Sequence, residues 1–66
     1  MVVEVNGERR EVAEETTVAQ LVAQTTERTR GVAVARGGEV VPQSEWEATR
    51  LSAGDRVEIL EAVQGG

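Results

Sequence analysis

The residues with the clearest chemistry stand at the carboxyl end: Ala62-Val63-Gln64-Gly65-Gly66. A Gly-Gly pair usually punctuates a loop or helix end, but here it follows a strand-like run and nothing comes after it that needs a turn. Two residues without side chains make a thin lead that can thread a narrow channel, and they leave the last carboxylate almost unshielded. Gly66 is therefore read as the group that is modified. Gln64, Gly65 and Gly66 are read as the segment that threads into a partner. Residues 63–66 are expected to be a flexible tail and residues 1–62 the folded domain that carries it. From the tail alone, a frayed end or the stub of a linker stays an open reading.

The remaining composition leaves little else that could act. His, Cys, Lys and Tyr are absent, so the usual general bases near neutral pH and the strongest nucleophiles are missing. Twelve acidic residues are scattered among seven arginines and form no catalytic pair. We expect no catalytic residue, no metal site and no bound cofactor. The Met1 α-amino group is the sole aliphatic amine, so lysine-linked chains of this protein are excluded. A chain of 66 residues makes one domain with a small core, because such a domain buries only roughly 60% of its unfolded surface. The lack of Cys fits a reducing cytoplasm. No leader opens the chain and no apolar run approaches the ~18 residues of a membrane span. A net charge of −5 argues against nucleic acid as a partner; it supports solubility or docking on a basic protein. The free chain is expected to be a monomer.

The elements that must hold the tail follow from pattern. Val3 and Val5 alternate with Glu4 at strand spacing, and Asn6-Gly7 is a strong two-residue hairpin signal because a type I′ turn needs positive φ twice. The return arm, Glu8 to Val12, is charged enough for a sheet edge. Thr17-Val18-Ala19-Gln20 reads as a capping box, and Val18, Leu21, Val22 and Thr25 share one face of a helix. The spacing predicts a helix over about 18–29, with Arg28 and Arg30 favouring its negative end and Gly31 as its stop. Val32-Ala33-Val34-Ala35-Arg36 is a strand, turned by Gly37-Gly38 into Glu39-Val40-Val41. No Gly-Lys-Ser/Thr or helix follows the two glycines, so they are not a phosphate loop. Pro42 closes the short strand. Residues 43–55 are an irregular connection with one short helical turn. It contains Trp46, a core plug or a partner contact, and the turn Ser52-Ala53-Gly54-Asp55.

The last strand runs from Arg56 to Val63. It puts Val57 and Ile59 on one face and Leu60 and Ala62 on the other, which suits a central strand or a face kept apolar for a partner. Val57 and Ile59 should face the helix with Val3, Val5, Val18, Leu21 and Val22. Leu60, Ala62 and Val63, beside the tail, then form the candidate partner-binding patch. The first and last strands, the most apolar, should be central neighbours. The order strand, strand, helix, strand, short strand, strand is α+β. It fits a single-domain β-grasp (ubiquitin-like) arrangement, a mixed sheet of about five strands with one helix across one face.

At this point the chain resembles, from end to end, the ThiS family of sulfur carrier proteins in thiamine thiazole biosynthesis. The resemblance rests on Asn6-Gly7 after a valine strand, Thr17-Val18 with Leu21, and Val32-Ala33-Val34-Ala35. It continues through Val40-Val41-Pro42 with Trp46, Gly54-Asp55, a hydrophobic last strand and Gly65-Gly66. It implies that an E1-like adenylating enzyme uses ATP and Mg²⁺ to turn the Gly66 carboxylate into an acyl-adenylate. A persulfide sulfur donor then displaces AMP to leave a thiocarboxylate, and thiazole synthase receives the sulfur. The chain is thus a co-substrate and not an enzyme, and any ATP, Mg²⁺ or zinc belongs to its partner. The small subunit of molybdopterin synthase is the nearest rival, though such chains are expected to be longer and richer in Phe. Other thiocarboxylate carriers are further rivals, and a ubiquitin-like protein modifier or an inert binding module would be of another class.

Overall fold

The computed structural model describes residues 1–28 and 30–62. Strands β1 (Val2–Val5) and β2 (Glu8–Glu11) form a hairpin in which Val5 faces Glu8. Asn6 and Gly7 both take positive φ, 51° and 83°, the conformation that Asn-Gly tolerates best. Helix α1 (Val18–Thr25) starts at Thr17 with both halves of the capping box made. The Gln20 N–H donates to Thr17 Oγ1 at 3.2 Å, and the Thr17 N–H donates to Gln20 Oε1 at 2.9 Å.

The helix stops at Thr25, short of the expected end near residue 29. The cause is local competition by hydroxyls. Thr25 Oγ1 donates to the Leu21 carbonyl at 2.8 Å, and Thr26 Oγ1 accepts the Arg28 N–H at 3.1 Å. Thr26 is already extended, with φ −146° and ψ 153°. Arg28 and Arg30 therefore lie beyond the helix and do not complement its dipole as the spacing suggested. Gly31, at φ 71°, leads into the next strand and does not cap the helix.

Strands β3 (Val32–Arg36) and β4 (Glu39–Val41) form a second hairpin through Gly37 and Gly38, again with two positive φ angles. After Pro42 a 3₁₀ turn covers Gln43–Glu45. Trp46 is a core plug: it is buried, and its indole N–H donates to the Val41 carbonyl at 2.8 Å. The Ser52–Asp55 turn closes through Asp55 Oδ2, which accepts the Ser52 N–H at 2.7 Å. Strand β5 (Arg56–Glu61) follows.

The sheet order is β2-β1-β5-β3-β4. The charged β2 is an edge, as its composition indicated. The first and last strands lie side by side in parallel, with Val5 opposite Val57. Beyond that pair the Asn6 side chain takes over from the backbone: its Oδ1 accepts the Ile59 N–H at 2.9 Å, and its Nδ2 donates to the Ile59 carbonyl at 3.1 Å. The core unites Val3, Val5, Val18, Leu21, Val22, Val57 and Ile59, as the strand and helix faces predicted. Val12, Val34 and Leu51 join it. No helix among the described residues is long and apolar enough to cross a membrane.

Thr17→Ala removes the side-chain acceptor at the helix start and should cost ~0.5–2 kcal/mol. For a domain of this size that is a drop in Tm of about 4–8 °C per kcal/mol, measurable by thermal circular dichroism. An unchanged Tm would show that the cap does not hold the helix.

Candidate functional site

Alternation along β5 decides which residues a partner can reach. Val57 and Ile59 are buried beneath α1, so Arg56, Glu58 and Leu60 point to the other side of the sheet. No described helix covers that side. Leu60 is 68% exposed there, on the outer face where its alternation with Val57 and Ile59 placed it. Its neighbour across β3 is Ala33, and Ala35 pairs with Val40 of β4. Val40 is 76% exposed. Ala33, Ala35, Val40 and Leu60 thus make an apolar strip across three strands. Val40 and the two alanines were not singled out from the sequence. The two-residue Gly37-Gly38 turn could have revealed them, because it fixes Arg36 opposite Glu39 and so Ala35 opposite Val40.

The strip has a charged border. Arg56 Nε lies 3.4 Å from Glu4 Oε2 on the same sheet face, and Glu58 stands between Arg56 and Leu60. Arg36 and Asp55, 3.0 Å apart, brace the turn before β5.

Leu60 and Ala62 also border one shallow depression with Gly31, Val32, Ala33 and Glu61. Ala62 is the last described residue, and its N–H donates to the Gly31 carbonyl at 2.6 Å. The remaining predicted site residues, Val63, Gln64, Gly65 and Gly66, lie outside the described residues. The described part of the site is therefore the body that would present a tail: an exposed apolar sheet face whose central strand leads to Ala62. Nothing in this arrangement resembles an acid–base or nucleophile pair.

A five-stranded mixed sheet with one helix on one face, and with its first and last strands paired in parallel at the centre, defines a β-grasp domain. The chain belongs to the ThiS family, whose model matches residues 3–66; members of this family are small sulfur carriers of thiamine biosynthesis and not catalysts in themselves. The crystal structure of the thiamine biosynthesis protein ThiS from Geobacter metallireducens is similar in fold, with a TM-score of 0.83 at 35% identity and full coverage of both chains. A solution structure of a thiamine biosynthesis protein from the same organism gives 0.83 at 33% identity, covering all of this chain and 88% of the other. The thiazole synthase of Paramagnetospirillum magneticum is 36% identical over 62 residues, which are 94% of this chain but only 19% of that protein. The chain thus spans about a fifth of the length of that relative.

The two faces of β5 give opposite expectations for one substitution. Leu60→Arg should change stability by no more than about 0.5 kcal/mol, as at an open surface site. Ile59→Arg would bury an unpaired charge and should unfold the domain. Urea titration of both variants checks this, and a collapse of the Leu60 variant would mean that the faces are reversed.

Proposed function

We propose that this chain carries sulfur as a thiocarboxylate on Gly66 for construction of the thiazole ring of thiamine. A carboxylate is a poor electrophile because its negative charge repels nucleophiles. Reaction with ATP on an E1-like adenylating enzyme joins the Gly66 carboxylate to AMP and releases pyrophosphate. The carbonyl carbon then bears a good leaving group. The outer sulfur of a persulfide donor attacks that carbon and AMP departs; a thiol reduces the resulting acyl disulfide and leaves the thiocarboxylate. The acceptor substrate on thiazole synthase takes the sulfur, an oxygen from that substrate or from water replaces it on the carbonyl carbon, and the Gly66 carboxylate is restored. ATP and Mg²⁺ bind to the adenylating enzyme.

The observation that carries this reading is the family match through residue 66, which includes Gly65 and Gly66. The likeness to a segment of a thiazole synthase supports that enzyme as the sulfur acceptor. The exposed strip around Leu60 and Val40 supports docking of the domain by its sheet face while the tail enters the partner's active site, with Ala62 and Val63 at the margin of the contact. The chain itself supplies binding and reach, and its residues move no proton.

Deleting Gly66 should abolish adenylation without altering the fold, because the new carboxylate on Gly65 sits one residue short. An extended residue spans ~3.3–3.6 Å, and a misplacement of about 1 Å already costs ~100-fold in a positioned reaction. Gly66→Val keeps the reach but crowds the reacting carbonyl and should also fail. Leu60→Arg should adenylate poorly at low carrier concentration. ATP–pyrophosphate exchange with the adenylating enzyme measures all three; normal exchange by the truncated chain would refute the proposal.

A further inference from the structure

We propose that Arg28 is a positioning residue for the tail: with Thr26 and Gly31 it fixes where, and in which direction, the chain leaves the sheet after Ala62. The inference rests on the carrier reading above and adds to it a specific device.

The early end of α1 makes this possible. Had the helix run to residue 29, Arg28 would have stayed on it. Because Thr26 turns extended, the segment after it comes to lie beside the end of β5. Thr26 Oγ1 donates to Glu61 Oε1 at 2.7 Å, and Arg28 Nε lies 3.4 Å from the same oxygen. Arg28 Nη1 donates to the Ala62 carbonyl at 3.2 Å, and the Ala62 N–H donates to Gly31. Both backbone groups of Ala62 are therefore held by the segment that follows the helix. Gly31 suits its part. Its φ is positive, and a Cβ there would lie 3.4 Å from the Ala62 Cβ, at the edge of tight contact.

The Ala62 carbonyl belongs to the peptide unit that leads into the tail. Peptide units are planar, so holding that oxygen sets the direction of departure. Four further residues reach at most about 13–14 Å when extended, and releasing Glu61 and Ala62 would lengthen that lever by about 7 Å. The space open to the Gly66 carboxylate would grow accordingly. Arg28 and Glu61 keep 49% and 43% of their side-chain surface exposed. Ion pairs this exposed add little to global stability, so the consequence of the contact falls on local order at the start of the tail. Arg28 lies off the strip that includes Leu60 and Val40 and borders a depression on the helix side with Ala19, Val22 and Trp46, so docking by that strip should not need it.

The test compares Arg28→Ala, Arg28→Lys and the Gly66 deletion in ATP–pyrophosphate exchange with the E1-like adenylating enzyme, alongside hydrogen exchange at the Ala62 amide. Arg28→Ala should leave Tm and the carrier's KM unchanged, speed exchange at Ala62, and lower kcat about ten-fold, on the scale by which small misplacements slow positioned reactions. Arg28→Lys, which can reach one of the two acceptors at a time, should recover part of that loss. An unchanged kcat in Arg28→Ala would overturn the inference, as would a loss confined to KM, which would make Arg28 a docking contact. Either result leaves the carrier reading intact, because in this assay that reading fails if the Gly66-deleted chain is still adenylated.

Discussion

Two strands from opposite ends of the chain, paired in parallel at the middle of the sheet, hold this fold together. Backbone bonds flank the pairing. The Glu4 N–H donates to the Asp55 carbonyl at 2.8 Å and the Asn6 N–H to the Val57 carbonyl at 2.9 Å. At Asn6 β1 has to turn away into its hairpin, and β5 would be left with an unmatched edge. The Asn6 carboxamide meets both the N–H and the carbonyl of Ile59 and so replaces the missing stretch of backbone. Asn is among the few non-glycine residues that accept the left-handed conformation the hairpin needs, and its side chain has the donor and acceptor that Ile59 needs. One residue thus ends one strand pair and extends another.

The exposed sheet face depends on that contact. Side chains on β5 alternate, so a slip of one residue would carry Ile59 outward and Leu60 inward. Asn6 from one neighbour and the five-residue ladder with β3 from the other oppose such a slip. The helix covers one face of the sheet, and no described helix covers the other. The central strand ends at Glu61, and both backbone groups of Ala62 are bonded by residues that the short helix frees. The packing of the core and the exposure of the open face therefore draw on the same few elements.

Much of this was legible in the residues. Asn6-Gly7 and Gly37-Gly38 each require two positive φ angles, and Thr17 with Gln20 states a helix start, so local chemistry alone places three boundaries. The split of Val57 and Ile59 from Leu60 and Ala62 located the exposed face, because side-chain alternation is a property of any strand. The end of the helix was misread. Thr25 continues the helical stripe at the right spacing, and spacing cannot weigh the hydroxyl bonds by which Thr25 and Thr26 compete with the next turn. The role of Arg28 was hidden for the same reason. Leu51 reaches the core from a connection without periodicity, and Val12 ends an arm whose charge marks an edge, so no apolar pattern marked either. The second task of Asn6 depends on a residue 53 positions away, which only the assembled sheet brings beside it.

The central claim is that the folded domain exists to deliver an activated carboxyl end to sulfur chemistry. The most direct test is the intact mass of the chain after incubation with ATP, Mg²⁺, the adenylating enzyme, a persulfide donor and a thiol reductant. The account predicts a mass gain equal to the replacement of one oxygen by sulfur, assigned by fragmentation to Gly66. An unchanged mass, or a covalent conjugate to another protein through an amide bond at Gly66, would contradict it.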